Sequence, residues 1–246
     1  MNESELDRYS RQLLLPNFDI EGQLKLGQAK VLVIGLGGLG NIASTYLAAS
    51  GVGSLILADG DQLELSNLPR QVLYDESQLG LDKVVAAAQQ ITKKDPAVLV
   101  RTIAQRLEGS VLQQAVAEAD IVLDCTDNFS ARQSINQACL IQSTPLVSAA
   151  AIRWEGQLIS FLYHEQGSPC YECLYPELSD QQLSCNESGI ISPVVGMLGV
   201  FQALETLKIA SGCGEVKHGA LRLFDGFTGR WRELTLTQDP KCQACT

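Results

Sequence analysis

The stretch Val31-Leu-Val-Ile-Gly-Leu-Gly-Gly-Leu-Gly40 decides the fold. Four apolar residues run into Gly35, Gly37 and Gly40, in a G-x-G-x-x-G pattern, and an apolar stretch from 41 to 50 follows at once. This order predicts a buried parallel strand, a tight turn and the start of a helix. Free backbone N–H groups at such a helix start, together with the helix dipole, attract phosphate. The chain is therefore predicted to bind a nucleotide.

The composition limits the class of protein. A chain of 246 residues that is 46% hydrophobic has enough apolar content for the core of a large domain. Its net charge of −10 argues against a nucleic-acid partner, which needs a basic surface. The N-terminus lacks the apolar segment of a signal peptide, and the weakly charged stretch Gly189–Leu204 contains Pro193 and runs into Glu205. We therefore expect a cytoplasmic protein without a membrane partner, in which that stretch forms a buried helix.

Helix and strand patterns alternate from residue 30 to residue 150. The predicted strands are Lys30–Ile34, Ser54–Ala58, Ala97–Ile103, Asp120–Asp124 and Pro145–Ala150. The predicted helices include Ser4–Leu15, Ile20–Gln28 and Leu79–Lys93. This alternation predicts a Rossmann-like, doubly wound, mostly parallel α/β sheet.

The pattern changes after residue 150. Three segments have the alternation of antiparallel strands that would continue the sheet: 156–163, 221–224 and 230–235. We predict a single domain over 1–246, with N-terminal helices in 1–29, a nucleotide-binding half in 30–150 and a second half in 151–246.

Acidic residues end the second predicted strand. Asp59 would lie at the carboxyl edge of the sheet beside the glycine turn, where a carboxylate can accept hydrogen bonds from ribose hydroxyls. The same spacing fits an NAD-dependent oxidoreductase, and spacing does not separate the two. The alternative role of a turn residue suits Asp61 better than Asp59.

Polar and cationic side chains follow in Asn67-Leu-Pro-Arg70-Gln71 and at Lys83. An Arg and a Lys downstream of a phosphate-binding turn suit a triphosphate, whose charge needs fixed cations when the α-phosphate is attacked. The alternative is that both are ordinary surface charges.

A further carboxylate follows the strand that ends at Asp124. Asp127 is a predicted magnesium ligand, because magnesium takes few protein carboxylates and shares phosphate oxygens. The structural alternative is that Asp127 or Asn128 caps the next helix.

The cysteines sort by spacing. Cys170-Tyr-Glu-Cys173 and Cys242-Gln-Ala-Cys245 form two C-x-x-C pairs, which predict a tetrahedral structural zinc site. Disulfides or a redox pair are the alternatives. Cys125 and Cys139 lie in apolar surroundings and are predicted to belong to the core.

Cys185 lies in a polar loop just before a helix, where the helix dipole could lower the pKa of its thiol. It is the one candidate nucleophile, and an unreactive loop cysteine is the alternative. His164 and His218 fit no pattern of nucleophile and base, and both are predicted to lie at the surface.

These residues together resemble the MoeB/ThiF/HesA adenylyltransferases, bacterial relatives of ubiquitin-activating enzymes, over nearly the whole chain. The motifs that carry the resemblance are Arg8-Tyr-Ser-Arg11-Gln, Gly35–Gly40, Ser66-Asn-Leu-Pro-Arg70-Gln, Asp124-Cys-Thr-Asp-Asn128, both cysteine pairs and Leu223-Phe-Asp-Gly226. The family activates the C-terminal Gly-Gly carboxylate of a ubiquitin-like sulfur carrier, of ThiS type or MoaD type, for thiamine or molybdopterin synthesis. The carboxylate attacks the α-phosphate of ATP and gives an acyl adenylate and pyrophosphate.

The resemblance also implies roles for single residues. Gly38 would contact the nucleotide through its backbone, within the turn formed by Gly35, Gly37 and Gly40. Asp59 would bind the ribose. Asp61 and Asn128 would lie beside the bound nucleotide. Asn67, Arg70 and Lys83 would hold the phosphates, Gln71 would support the same pocket, and Asp127 would bind magnesium. Arg11 would reach into the site of the partner subunit, which implies a homodimer.

The resemblance does not decide between the two carriers. The segment 221–226 resembles ThiF, whereas 151–157 resembles MoeB. Cys185 lies where ThiF has a cysteine that joins sulfur transfer, but MoeB-like proteins also carry a cysteine in this loop. No rhodanese-like extension follows the second cysteine pair, so a separate sulfur donor is expected. The alternatives to adenylylation are an NAD-dependent oxidoreductase and a non-catalytic scaffold that binds a carrier.

Overall fold

The computed structural model describes residues 1–163, 167–176 and 189–245. The strands in these residues are β1 Lys30–Ile34, β2 Ser54–Ala58, β3 Leu99–Ile103, β4 Ile121–Asp124, β5 Leu146–Ile152, β6 Glu155–Phe161, β7 Ala220–Asp225 and β8 Arg230–Thr235. They form one sheet in the order β3-β2-β1-β4-β5-β6-β7-β8. The five strands β3, β2, β1, β4 and β5 pair in parallel with their neighbours. Strands β6, β7 and β8 continue the sheet with antiparallel pairing. The predicted fold class is confirmed.

The helices surround this sheet. Within the described residues they are α1 Glu3–Arg8, α2 Ser10–Leu13, α3 Asp19–Leu26, α4 Gly40–Ala49, α5 Lys83–Lys94, α6 Gly109–Ala117, α7 Phe129–Gln142, α8 Tyr171–Leu174 and α9 Ser192–Ser211. Alternate residues of β1 belong to two cores: Val33 packs in the core that includes Leu198 of α9, and Leu32 packs in the core that includes Ile135 of α7. Helices therefore cover both faces. The carboxyl ends of β1, β2 and β4 lie together at one edge, where ligands bind in sheets of this type.

Two helices differ from their predicted bounds by more than two residues, while the predicted helix Ile20–Gln28 is observed as Asp19–Leu26. The predicted helix Ser4–Leu15 is broken at Tyr9, whose ring is buried and whose hydroxyl donates to the buried Asp95 carboxylate at 2.8 Å. The helix predicted to start at Leu79 starts at Lys83, because Gly80 has a left-handed φ of +82° that no helix contains.

Helix α9 runs through the middle of the fold, in contact with α3, α4, β5 and β6. In the described part of the chain it is the one helix long and apolar enough to cross a membrane, and half of it is buried inside the protein. It also carries the buried Glu205, which pairs with Arg222 of β7 at 3.0 Å. A buried charge that is tied to the sheet belongs to a core helix, so the predicted buried helix is confirmed.

Candidate functional site

The glycine turn has no room for side chains. Gly35 has a φ of +90°, and a Cβ there would lie 2.8 Å from the carbonyl oxygen of Cys125. A Cβ on Gly40 would lie 1.9 Å from the carbonyl oxygen of Gly35. Glycine at both positions therefore lets the turn close tightly against the end of β4, as the motif predicts.

Buried side chains hold the carbonyl groups of this turn. The Asn41 Nδ2 donates to the carbonyl oxygens of Gly37 at 2.5 Å and Gly38 at 2.9 Å, and the Tyr74 hydroxyl donates to that of Leu36 at 3.0 Å. The backbone N–H groups of Gly37 and Gly38 have no acceptor among the described residues. They are thus available to an anion at the start of α4. Asn41 was not among the predicted site residues, although its place in the first helical turn after the glycine motif was a signal for it.

The two aspartates after β2 differ in their contacts. Asp59 accepts hydrogen bonds from the backbone N–H groups of Leu36, at 2.6 Å, and Asp61, at 2.8 Å, so it ties β2 to the glycine turn. Burial raises the pKa of Asp59, against the effects of the Leu36 N–H and Lys83. Asp61 instead pairs with the buried Lys83 ammonium at 3.1 Å. Burial acts to raise the pKa of Asp61, but the hydrogen bond and charge of Lys83 outweigh it and lower the pKa.

The segment Asn67–Gln71 lies beside the same turn. The Arg70 side chain donates to the Ser66 carbonyl at 2.9 Å, and its Cγ is 3.6 Å from the position that a Cβ on Gly38 would occupy. Gln71 is 1% exposed, its Nε2 approaches Gly37, and its Oε1 has no hydrogen-bond partner among the described residues. A buried amide oxygen without a donor is costly, so this position is suited to a bound ligand or water.

The loop after β4 settles the question of the helix cap. The Asn128 side chain accepts from the Ala131 N–H at 2.9 Å and caps α7. Asp127 is exposed, one residue earlier. Asn128 is therefore the cap, and within the described residues the Asp127 carboxylate has no hydrogen-bond or ion-pair partner.

A buried network of hydrogen bonds around Asp124 fixes the loop that follows β4. Asp124 is 1% exposed and accepts from the hydroxyls of Ser148 and Thr126, each at 2.7 Å. The buried Arg132 guanidinium lies 3.9 Å from Asp124 and donates to the Thr126 carbonyl. The Gln202 amide of α9 donates to the Asp124 carbonyl at 2.9 Å. Arg132 was not predicted from the sequence, although its position one helical turn after the Asn128 cap was an available signal.

A cavity of about 220 Å³ opens beside Asp127. Its wall includes Asp127, Phe129, Arg132, Ala150, Gly156, Gln157, Tyr171, Tyr175, Leu223 and Arg232. Two of these side chains meet across it, since the Tyr175 hydroxyl donates to the Gln157 Oε1 at 2.6 Å. Burial raises the pKa of Tyr171 to about 12, so this phenol stays protonated and neutral. The cavity has the size and mixed polarity for a short extended peptide.

The two cysteine pairs come together as predicted. Cys170, Cys173, Cys242 and Cys245 place their sulfur atoms within 4.8 Å of one another. The closest pairs are Cys173–Cys245 at 3.5 Å and Cys170–Cys242 at 3.7 Å. A tetrahedral zinc ion with Zn–S bonds of about 2.3 Å requires sulfurs about 3.8 Å apart, so the donor set and its geometry fit zinc.

The remaining predicted residues lie apart from this edge or outside the described ranges. Arg11 of α2 is exposed and has no hydrogen-bond or ion-pair partner in the part of the chain that the structure describes. Cys185 and His164 lie outside the described residues. The surface prediction for His218 is wrong, because its ring is half-buried and its Nδ1 accepts from the Leu162 N–H at 2.8 Å. Cys125 and Cys139 are buried, as predicted.

Known proteins resemble this chain in sequence and in fold. A model described as "ThiF family" matches residues 9–244. The sulfur carrier protein ThiS adenylyltransferase of Escherichia coli (strain K12) is 46% identical, with 100% of this chain and 97% of the relative covered. The molybdopterin-synthase adenylyltransferase of the same strain is 41% identical, with 100% and 98% covered. The crystal structure of Escherichia coli MccB has a TM-score of 0.84 at 26% identity, with 100% of this chain and 74% of that chain covered.

The chain belongs to the ThiF family, and it is an adenylyltransferase, as predicted. The NAD-dependent oxidoreductase and the non-catalytic scaffold are left without support. The two relatives differ little in identity to this chain, so the comparisons do not choose between a ThiS-type and a MoaD-type carrier.

Proposed function

We propose that this protein uses ATP to adenylylate the C-terminal Gly-Gly carboxylate of a ubiquitin-like sulfur carrier, of ThiS or MoaD type. The observation that carries the proposal is the edge shared by β1, β2 and β4. There the N–H groups of Gly37 and Gly38 have no acceptor among the described residues, and the side chains of Lys83 and Arg70 lie beside the same turn and strand ends. The exposed carboxylate of Asp127, after β4, lines a cavity suited to a chain terminus.

The nucleotide would be held by groups on three strand ends. In this proposal Gly38 contacts the phosphates through its N–H, within the turn of Gly35, Gly37 and Gly40, and Asp59 binds the ribose. Asn67, Arg70 and Lys83 hold the phosphates, with Gln71 supporting them and Asp61 orienting Lys83. Asp127 binds the magnesium ion, which would supply charge neutralisation on the phosphates, and Asn128 keeps the Asp127 loop in place.

This arrangement suits the chemistry of acyl adenylation. A carboxylate oxygen of the carrier forms a bond to the α-phosphorus, and the bond from that phosphorus to the α,β-bridging oxygen breaks as pyrophosphate leaves. A terminal carboxylate is already ionised at neutral pH, so no general base is needed. In-line transfer depends on positioning and on neutralising charge, which Arg70 and Lys83 provide.

We further propose a homodimer in which Arg11 enters the partner's nucleotide site. Arg11 has no partner in the described part of its own chain. Three helices that pack together, α3, α4 and α9, also expose the apolar side chains Leu24, Tyr46 and Leu204. A contiguous exposed apolar patch marks a protein–protein interface, and in this proposal these three side chains form such a patch.

The rest of the assembly follows from the same proposal. Zinc binds the four clustered cysteines, and the carrier body packs on the strands of the 151–246 half. A separate protein donates sulfur, with Cys185 as a possible acceptor, and the reaction takes place in the cytoplasm. Cys185→Ser should form the adenylate normally and lose only sulfur transfer.

Intact-mass spectrometry tests the proposal. A ThiS-type and a MoaD-type carrier are each incubated with the protein and Mg-ATP. A carrier whose mass rises by one AMP identifies the substrate and the pathway together. If neither carrier gains AMP, while the protein binds ATP, the proposal is wrong about the acceptor.

A further inference from the structure

The helix α8 connects the cysteine cluster to the cavity. Cys170 lies immediately before its first residue, and Cys173 lies within it. Between them Tyr171 lines the cavity, and Tyr175 lines it just after the helix ends. Two sulfur ligands therefore bracket one wall of the cavity.

This wall has little stability of its own. A helix of four residues cannot persist alone, because helix nucleation is unfavourable and propagation is too short to offset it. One polar anchor holds its start from α7, where the Asn136 Oδ1 accepts from the Tyr171 N–H at 2.9 Å. The aromatic rings of Phe129, Tyr171 and Tyr175 also pack together, with centroids 5.3 to 6.5 Å apart. Tyr171 is buried in the core, and the Tyr175 hydroxyl donates to Gln157 of β6. The cysteine cluster is a further anchor of α8, and the one that depends on a metal.

We propose that the metal bound by the four cysteines positions Tyr171 and Tyr175 to receive the tail of the carrier, so that it controls carrier binding without affecting nucleotide binding. This inference rests on the proposed function. In this inference the metal has two effects. It holds the C-terminal segment, and it orders Tyr171 and Tyr175, the tyrosine wall of the cavity, before the carrier binds. A pre-ordered wall spares the carrier tail the entropic cost of ordering these side chains.

The nucleotide side of the site is supported independently. Its turn is held by Asn41, Tyr74 and Asp59, and none of them contacts the cysteine cluster. The Asp127 loop borders the wall, because Phe129 packs against Tyr171 and the Arg132 guanidinium hydrogen-bonds to Tyr171. It is also held, through Asp124, from β5 by Ser148 and from α9 by Gln202, and neither of these two residues belongs to the wall. Loss of the metal therefore leaves the ATP-binding groups in place.

The first test compares zinc-loaded protein with protein from which a chelator has removed zinc. We expect the KM for the carrier to rise about tenfold in the metal-free form, while the Kd for ATP stays within about twofold. Hydrogen exchange should become faster in residues 171–175 and stay unchanged in residues 35–41. Restored zinc should reverse each change. Cys213→Ser, which removes a thiol outside the cluster, is the matched control and should behave as wild type.

The second test keeps the metal in place. Tyr175→Phe removes the hydroxyl that donates to Gln157, and it should raise the KM for the carrier about fivefold with unchanged zinc content, kcat and melting temperature. In metal-free protein the same substitution should have no further effect, because the wall is already disordered. The zinc-loaded variant tests the place of Tyr175 in the wall even if the metal-free protein does not fold.

Two results would overturn the inference. One is an unchanged KM for the carrier in folded metal-free protein, and the other is a Kd for ATP that weakens as much as the KM. A loaded wild-type protein that forms no adenylate would instead refute the proposed function, and carrier binding to the two forms would then be compared directly.

Discussion

At the scale of single residues, the site separates groups that build it from groups that are free to act. Asn41, Asp124 and Arg132 are buried and occupied with the backbone of the two loops. Asp127 is exposed beside them. Buried polar side chains that hydrogen-bond to the backbone hold a loop in place. They therefore fix the position of an exposed neighbour such as Asp127 before any ligand binds.

Replacing Arg70 or Asp127 should slow the chemistry and spare the fold. Arg70→Ala and Asp127→Ala should each lower the rate of ATP–pyrophosphate exchange about 10²-fold to 10³-fold, because each removes charge stabilisation from the transferring phosphate. The melting temperature should stay close to that of wild type. Arg101→Ala is the matched control, since Arg101 lies on the edge strand β3 and pairs with Glu118 at the surface. A rate loss in Arg101→Ala as large as in Arg70→Ala would argue against a specific role for Arg70.

The sequence predicted residues whose chemistry is local to a motif. Gly35 and Asp59 could be found because each directly follows the end of a strand, whereas Lys83 was separated from an ordinary surface charge only by the family resemblance. Gln202 could not be found, because its partner lies on another element: Gln202 of α9 is 78 positions from the Asp124 carbonyl that it binds. Burial of a polar side chain is set by long-range packing, which no local pattern records.

At the scale of elements, strands were easier to predict than helix ends. The apolar runs Lys30–Ile34 and Ser54–Ala58 were predicted at their observed bounds, since buried parallel strands are apolar throughout. The break at Tyr9 was missed because the helical pattern continues through it, and the cause is the distant Asp95. The start of α5 was misplaced because Gly80 adopts a turn conformation.

The start of α7 offers a test that separates its two candidate roles. Asn128→Ala should lower the free energy of unfolding by about 1 kcal/mol, the usual cost of losing a helix cap. Asp127→Ala should change it little, because the Asp127 carboxylate is exposed. Urea unfolding of both variants measures the difference. The cap assignment fails if Asp127→Ala is the more destabilising of the two.

At the scale of the whole molecule, the sheet joins two kinds of surface. Its parallel part ends in the nucleotide edge, and its antiparallel part borders the cavity and leads into the segment that carries Cys242 and Cys245. In the cysteine cluster, Cys242 and Cys245 near the end of the described chain lie against Cys170 and Cys173 at α8. The antiparallel extension was predictable from alternation, but the juxtaposition of the cavity with the cluster was not, because it depends on how β7 and α8 pack.

Metal binding should stabilise the molecule as a whole. Removing zinc, or replacing Cys245 with Ser, should lower the melting temperature by about 5 °C or more, because metal binding to preformed ligands contributes to folding free energy. Limited proteolysis should then cleave the segment after β8 faster. Scanning calorimetry of loaded and chelated protein provides the measurement. Equal melting temperatures for the two forms would show that the cluster is not a stabilising metal site.

The proposed dimer predicts complementation between defective subunits. Arg11→Ala should reduce turnover and leave the fold intact, because Arg11 is exposed and makes no contact within its described chain. Mixing Arg11→Ala with Asp127→Ala should restore part of the activity, since a mixed dimer contains one intact composite site. If Arg11 acted in its own subunit, the mixture would be as inactive as its components.

The cysteine cluster has a consequence for how the protein is made. Cys170 and Cys242 are 72 positions apart, so a ribosome completes β7 and β8 before the second pair of thiols exists. A nascent chain that stops earlier offers two sulfur ligands, too few for a tetrahedral structural site. Zinc can therefore bind only after the ribosome has translated the chain as far as Cys242 and Cys245. Chains that terminate earlier should keep a disordered tyrosine wall, at which proteases can cleave them.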